Sequence, residues 1–244
     1  MRPESISPDF EVLLVRHGET LENKADTLQG CDPRRGRLSP RGVAQSRRLG
    51  AALDGVALDV AWCSPLERAV ATLGVALGER GGDVAVPLIF LDDLREIDLA
   101  DLHGRTRGDW RVAQAASGVA AVDFQAPGGG ESWNDVQRRS AACFATQVGA
   151  ARAAGARRAL LVAHGGVLRG VLTALTREPM AIAWATGAES VRIQNGSISR
   201  VTYGAGRDPI AMRADDTRHL DGLCVALGQG FAWDPSARRW VGTP

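Results

Sequence analysis

The sequence predicts an α/β fold: three layers, α/β/α, around a mostly parallel central sheet. Three observations carry that expectation. The apolar run Leu13-Leu14-Val15 stops abruptly at Arg16-His17-Gly18, and a second run, Leu160-Leu161-Val162-Ala163, stops at His164-Gly165-Gly166. Both have the leucine and β-branched content of a buried strand, with glycine where the chain must turn. Between them, apolar strands alternate with helical segments at the spacing of βαβ units. Both histidines then fall at carboxyl ends of strands, where open α/β sheets keep their crevice.

Taken in order, Glu11 to Val15 reads as the first strand, followed by a polar loop through Arg37. Ser39-Pro40 supplies an N-cap and a proline at the first helical position, so a helix is expected to about Leu53. Leu58 to Cys63 reads as a short strand. Ser64-Pro65 repeats the helix-start signal for a second helix ending near Gly81-Gly82, and Val84 to Leu91 is a third strand. A short helix is expected around Asp109 to Ala116, a loop at Pro127 to Gly130, and a long helix from about Glu131 to Ala154. Trp133, Val136, Cys143, Phe144 and Val148 are available for its buried face. Arg158 to Ala163 forms the strand into His164, and Gly166 to Thr176 a helix. Val191 to Gln194 and Ser197 to Tyr203, joined by Asn195-Gly196, read as a hairpin. The segment from Gly204 onward has no clear period.

The 244 residues are enough for one large domain spanning 1–244, with a core of about 11–203 and a C-terminal extension, 204–244, to which the sequence assigns no role. Hydrophobic residues are 45% and charged residues 23%, ordinary for a globular chain. A net charge of +1 argues against general attraction to nucleic acid or a membrane surface. Lys24 is the single lysine, so any anion site must be built from arginine. Cys31, Cys63, Cys143 and Cys224 are widely spaced and form no C-x-x-C pair. They read as reduced thiols, neither a disulfide frame nor a zinc site. The first ten residues have no apolar signal segment and no spanning segment stands out, so a cytoplasmic location is expected.

Four clusters can carry chemistry. In Arg16-His17-Gly18-Glu19-Thr20, an imidazole held at a strand end can attack as a nucleophile if one ring nitrogen is fixed and the other left bare. The adjacent arginine would lower its pKa and offer a fork of donors to a phosphate. Alone, such a common triplet favours a structural turn. Arg68, in Ser64-Pro65-Leu66-Glu67-Arg68-Ala69, lies in the first turn of a predicted helix, where guanidinium and helix N-terminus can meet one anion. Glu96 follows the third strand, and a carboxyl near a phosphate would have its pKa raised, suiting it to protonate a leaving oxygen. His164 can donate to a phosphoryl oxygen. His103-Gly104 lacks a preceding strand and does not share the pattern, and two remote histidines without a third ligand at recognisable spacing give no metal site.

As a set, these motifs resemble the histidine phosphatase superfamily, also called phosphoglycerate mutase-like, from about Val12 to Leu175. The matching residues are Arg16-His17-Gly18 with Thr20, Asn23, Gly30, Ser64-Pro65-Leu66 with Arg68-Ala69, Leu94 with Glu96, Gly129-Gly130-Glu131-Ser132, and His164-Gly165. The resemblance implies that His17 becomes phosphorylated and that Arg16, Arg68 and His164 hold the phosphoryl oxygens. It implies further phosphate contacts from Asn23, Thr20 and Gly30, and Glu96 as the proton donor and later the base for water. Ala100 stands where many relatives have glycine, which puts the loop shape in doubt, while Gly104 is retained. The basic insert Pro33 to Arg37 lies near the expected pocket mouth. It suits either a site for a second anionic group or solvated surface charge, and the latter is favoured.

The resemblance implies a phosphatase acting on small phosphate monoesters, with no cofactor and no metal, and dimers are frequent in such families, so a homodimer is among the expected assemblies. Phosphoryl transfer back to a bound sugar acid is the alternative; the family's mutases typically carry a longer insert between the acid and the second histidine, whereas the interval from Glu96 to His164 here is 68 residues, which favours transfer to water. A phospho-ligand binding module without catalysis is another. Trp110, Phe124, Trp133 and Trp184 are candidates for an apolar pocket wall, although helical aromatics are more often core.

Overall fold

A strand buried on both faces needs apolar residues at every position, which is what the two histidine-terminated runs provide. In the computed structural model, which describes residues 8–80, 85–178, 193–223, 231–236 and 239–242, they become β1 (Phe10–Arg16) and β4 (Arg158–Ala163), paired in parallel. Beyond β4 come β2 (Val60–Cys63) and the edge strand β3 (Leu88–Phe90), both parallel. On the other side of β1, β5 (Ile198–Tyr203), β6 (Pro209–Asp216), β7 (Phe231–Asp234) and β8 (Arg239–Gly242) run antiparallel. The sheet order is β3-β2-β4-β1-β5-β6-β7-β8.

Alternation along each strand separates two cores. Leu13, Val15, Leu160 and Val162 pack against α2 (Pro40–Ala52) and α3 (Glu67–Glu79). Val12, Leu14, Leu161 and Ala163 pack against α5 (Trp133–Ala153) and α6 (Gly165–Leu175). Two shorter helices, α1 (Leu21–Lys24) and α4 (Arg107–Ser117), lie in the connections. The layers are those expected, and the parallel strands β3-β2-β4-β1 form one half of the sheet.

Helix starts follow their caps. Ser39 accepts from Gly42 N at 3.1 Å with Pro40 in the first turn, and Ser132 closes a capping box with Asp135. Ser64 does not repeat this role. The helix begins later, at Glu67 after Leu66, because the Ser64 hydroxyl is committed elsewhere: it lies 2.8 Å from His164 Nε2 and accepts from Leu66 N at 3.3 Å. The third strand is shorter than expected, with Leu88, Ile89 and Phe90 41–51% exposed. It pairs only with β2, and Pro87 before it has no N–H to lengthen the ladder. Val84 and the Gly81-Gly82 helix end lie outside the described residues.

The expected hairpin is corrected. Asn195-Gly196 does form a turn, with Gly196 at φ +76°, but Ile193 and Gln194 are not in a strand, and Val191 lies outside the described residues. Both edges of β5 are already taken, by β1 and by β6, so no edge remains for the preceding segment. The segment after Gly204 is likewise not irregular: it supplies β6, β7 and β8. Among the candidate wall aromatics, Phe124 and Trp133 belong to the core, and the partly buried Trp110 packs against it, edge to face with Phe124 at 5.5 Å; Trp184 lies outside the described residues. Among the described residues no helix is long and apolar enough to cross a membrane.

Candidate active site

Strand register builds the site. β1 and β4 run side by side with Arg16 opposite Ala163, and His17 N continues the ladder to Ala163 O at 3.0 Å. The next residue of each strand is therefore a histidine, and the rings of His17 and His164 lie 5.2 Å apart. The two runs are parallel neighbours, which is why residues so distant in sequence meet.

The hydrogen bonds give the two rings opposite roles. His17 Nδ1 lies 2.7 Å from Gly18 O. A carbonyl can only accept, so Nδ1 carries the proton and Nε2 keeps its lone pair. At His164, Nδ1 receives the Arg68 Nε–H at 3.1 Å. A guanidinium can only donate, so here Nδ1 is bare and Nε2 carries the proton, directed at Ser64 Oγ. One imidazole thus offers a nucleophilic nitrogen and its neighbour offers an N–H.

Both rings are almost fully buried, and both pKa values are held well below the usual 6.5, chiefly by burial and then by the Arg68 charge, with Arg16 also repelling a proton on each. The expected effect of Arg16 on His17 is thus present but ranks behind desolvation. A consequence concerns stability. The unfolded histidines take up protons below about pH 6.5 while the folded ones stay neutral, so stability is complete above that pH and is lost as pH falls below it. The loss is about 1.4 kcal/mol per pH unit for each histidine. Urea midpoints at pH 7.5 and 5.5 should diverge in the wild type and diverge less in His164→Asn; an equal divergence would assign the effect to other groups.

Arginine side chains surround the pair. Arg68, in the first turn of α3, is 1% exposed and donates through Nη2 to Gly30 O at 2.7 Å. Arg16 donates through Nη1 to Ile193 O at 2.7 Å. Among the described residues, Arg16 Nε and Arg68 Nη1 are buried donors with no hydrogen-bond partner. Buried cationic donors left over in this way are what an anion site requires. Burial lowers both guanidinium pKa values to about 10, so both remain charged near neutrality.

Glu96 faces the N-terminus of α6. Its Oε2 accepts from Gly166 N at 3.1 Å and its Oε1 from Ile97 N at the same distance. A Cβ on Gly166 would lie 2.5 Å from Glu96 Oε1 and closer still to the Trp133 ring, so only glycine lets carboxylate, indole and helix approach together. The loop carrying Glu96 is held by Arg139, which donates to Asp93 O and Arg95 O at 2.7 Å and is gripped through two hydrogen bonds by Glu131. Glu131 also accepts from Asp98 N.

The doubt raised by Ala100 resolves in the backbone. Ala100 holds φ at +40°, in the left-handed region that favours glycine, with its N–H on Asp98 Oδ1. That conformation costs alanine about 1–2 kcal/mol, against about 0.4–1 kcal/mol of chain entropy that glycine would lose on folding. Ala100→Gly is therefore expected to stabilise by roughly 0.5–1 kcal/mol, read as a raised urea midpoint; an unchanged or lowered midpoint would mean the loop bears no strain there.

The remaining expected contacts divide. Thr20 and Asn23 form the capping box of α1, and Asn23 Oδ1 also accepts from Asn195 at 3.1 Å, which leaves the Asn23 amide NH2 as its donor toward an anion. Gly30, at φ +49°, presents its carbonyl to Arg68 and so positions that guanidinium. In the insert, Asp32 gathers Arg34 and Arg35, and Gly36 passes close over Arg68 Nη1, so the segment roofs the clamp. Arg34 is solvated, as the surface-charge reading expects.

Sequence reasoning missed Ser64 as a partner of His164, Asn195 as a donor to His17 O at 3.0 Å, and Arg169 on α6, whose buried charge acts on both Arg16 and Glu96. Arg169 stands four residues after Gly165 on α6, and that one-turn spacing from Gly165 was the available signal.

Comparison with known proteins gives the family. A family model described as the histidine phosphatase superfamily (branch 1) matches residues 12–216. A 2,3-bisphosphoglycerate-dependent phosphoglycerate mutase of Methylobacterium radiotolerans is 34% identical over 171 residues, covering 67% of this chain and 78% of its own. One of Parvibaculum lavamentivorans is 32% identical over 192 residues, covering 74% and 88%. Among solved structures, an alpha-ribazole phosphatase of Shigella flexneri aligns with a TM-score of 0.69 at 25% identity, covering 82% of this chain and 93% of that one. A mycobacterial glucosyl-3-phosphoglycerate phosphatase in complex with VO3 aligns at 0.63 and 31%, covering 79% and 92%. With the paired histidines, the arginine clamp and the match over residues 12–216, the chain belongs to the histidine phosphatase superfamily, branch 1.

Proposed function

We propose that this protein is a phosphatase that hydrolyses small phosphate monoesters through a phosphohistidine on His17. The observation that carries the reading is the pair of opposite tautomers: a bare His17 Nε2 beside a protonated His164 Nε2, with Arg16 and Arg68 each holding a buried donor to spare.

In the first step His17 Nε2 attacks phosphorus and the bond to the ester oxygen breaks. The Glu96 carboxyl gives its proton to the departing alkoxide, which leaves as an alcohol. Arg16, Arg68 and His164 hold the three non-bridging oxygens, so fixed donors balance the charge of the transferring group, and no metal ion is needed for that purpose. In the second step Glu96 takes a proton from water, the resulting hydroxide attacks phosphorus, and the N–P bond breaks, returning His17 and releasing phosphate.

A second reading is favoured by the relatives from Methylobacterium radiotolerans and Parvibaculum lavamentivorans, which are named as mutases. Transfer back to a bound sugar acid requires exclusion of water from the phosphoenzyme. The interval from Glu96 to His164 here holds little beyond α4 and α5, and α4 is largely exposed, which supports transfer to water. Phosphate release from a panel of monoesters, including phosphoglycerates, glucosyl-3-phosphoglycerate and alpha-ribazole 5′-phosphate, should exceed phosphoglycerate interconversion by the same preparation. Interconversion outrunning hydrolysis of every ester would make the protein a mutase.

A further inference from the structure

Behind the anion clamp, on the far side of Gly30, three side chains of different chemistry converge. Cys31 comes from the loop after α1, and Asp98 and His103 come from the loop after Glu96. Their ligand atoms all lie within 4.8 Å of one another. His103 Nε2 is 4.0 Å from Cys31 Sγ and 3.8 Å from Asp98 Oδ1.

We propose that Cys31, Asp98 and His103 form a binding site for a divalent transition-metal ion of the zinc type, separate from the catalytic pocket.

The tautomer of His103 is the one that ligation needs. Leu99 N donates to His103 Nε2 at 3.3 Å, so this nitrogen carries no proton, and the thiol and the carboxylate both lie within 4.0 Å of it. That bond is long and is the one the metal would replace. A sulfur, an imidazole nitrogen and a carboxylate oxygen form the mixed, borderline-soft donor set that suits zinc better than calcium or magnesium. Tetrahedral zinc bonds of about 2.0–2.3 Å place ligand atoms about 3.3–3.6 Å apart, so the two separations at His103 Nε2 need to close by about half an ångström, with the thiol and carboxylate drawn in from within 4.8 Å of each other. With three protein ligands and Asp98 about half exposed, the fourth position would be water.

Binding is a simple exchange. The Cys31 S–H bond breaks, its proton passes to buffer, and a sulfur–metal bond forms with no change of oxidation state. The competing arrangement is a weak S–H···N contact between Cys31 and His103 with no ion between them. Gly30 links the site to the clamp: its carbonyl receives Arg68, and a Cβ there would lie 2.6 Å from His103 Nε2. The metal site does not depend on the catalytic reading, because none of its ligands takes part in phosphoryl transfer.

The test is a titration of the full-length, metal-free protein with Co2+. One equivalent should produce tetrahedral visible absorption and a near-ultraviolet thiolate-to-cobalt charge-transfer band, and one equivalent of Zn2+ should displace both. The charge-transfer band should vanish in Cys31→Ser, and both His103→Ala and Asp98→Asn should weaken Co2+ binding more than about tenfold while retaining the wild-type circular dichroism. Asp98→Asn keeps the acceptor for Ala100 N, so it tests ligation if His103→Ala does not fold. Absence of the band in the wild type overturns the site. So does a band that survives Cys31→Ser, or Co2+ affinity unaffected in the folded variants at positions 98 and 103.

Discussion

His17→Ala is expected to abolish turnover, with a fall of at least about 10⁴-fold in kcat for any phosphate ester the wild type hydrolyses. The size follows from the geometry. His164 is the other imidazole in the pocket, and its Nε2 carries a proton while its Nδ1 is taken by Arg68, so it cannot substitute as nucleophile. Water attacking directly would still benefit from the arginine clamp, which is why a small residual rate is allowed. The measurement is twofold: steady-state phosphate release, and incorporation of label from a 32P-labelled ester after rapid acid-free quenching. Wild type should label and His17→Ala should not. A labelled His17→Ala would place the nucleophile elsewhere, and an unlabelled, inactive wild type across donors would favour a binding module over an enzyme.

Glu96→Gln should separate substrates by their leaving groups. An alkyl alcohol leaves as an unstable alkoxide unless it gains a proton in the transition state, so alkyl phosphates should lose about 10²–10⁴-fold in kcat/KM. An activated aryl phosphate leaves as a stable phenolate and should lose no more than about tenfold in the first step. Glutamine keeps one of the two acceptor oxygens, enough for Gly166 N while Ile97 N loses its partner; that lost contact burdens both substrate types alike, so the difference between them reports on proton transfer. Equal losses on both substrate types would remove Glu96 from the acid role.

Much of this site is legible in the order of residues alone, because local signals are dense around it. Continuous apolar runs ending in histidine and glycine mark buried strands that stop at a crevice, and Ser39-Pro40 marks the start of α2. Where the reading fails, the decisive contact comes from a distant part of the chain. Ser64 has the same residues around it as a helix cap but is drawn instead to His164. The segment before β5 has a hairpin pattern but meets a strand whose edges are already filled by β1 and β6. The segment after Gly204 shows no period, yet the sheet edge supplied by β5 orders three further strands onto it.

Local chemistry along the chain decides which residue types are present for catalysis and which segments become strands and helices, since periodicity and caps act over a few residues. Register is left to the tertiary structure. Only the pairing of Arg16 with Ala163 makes the two histidines neighbours, and only the hydrogen bonds to Gly18 and from Arg68 leave one ring with a bare Nε2 and the other with a protonated one. The same holds for Cys31, Asp98 and His103: their spacing along the chain matches no ligand pattern, and two loops folding over Gly30 bring them together. Proton positions and ligand clusters depend on partners across the fold, and no run of residues can specify them locally.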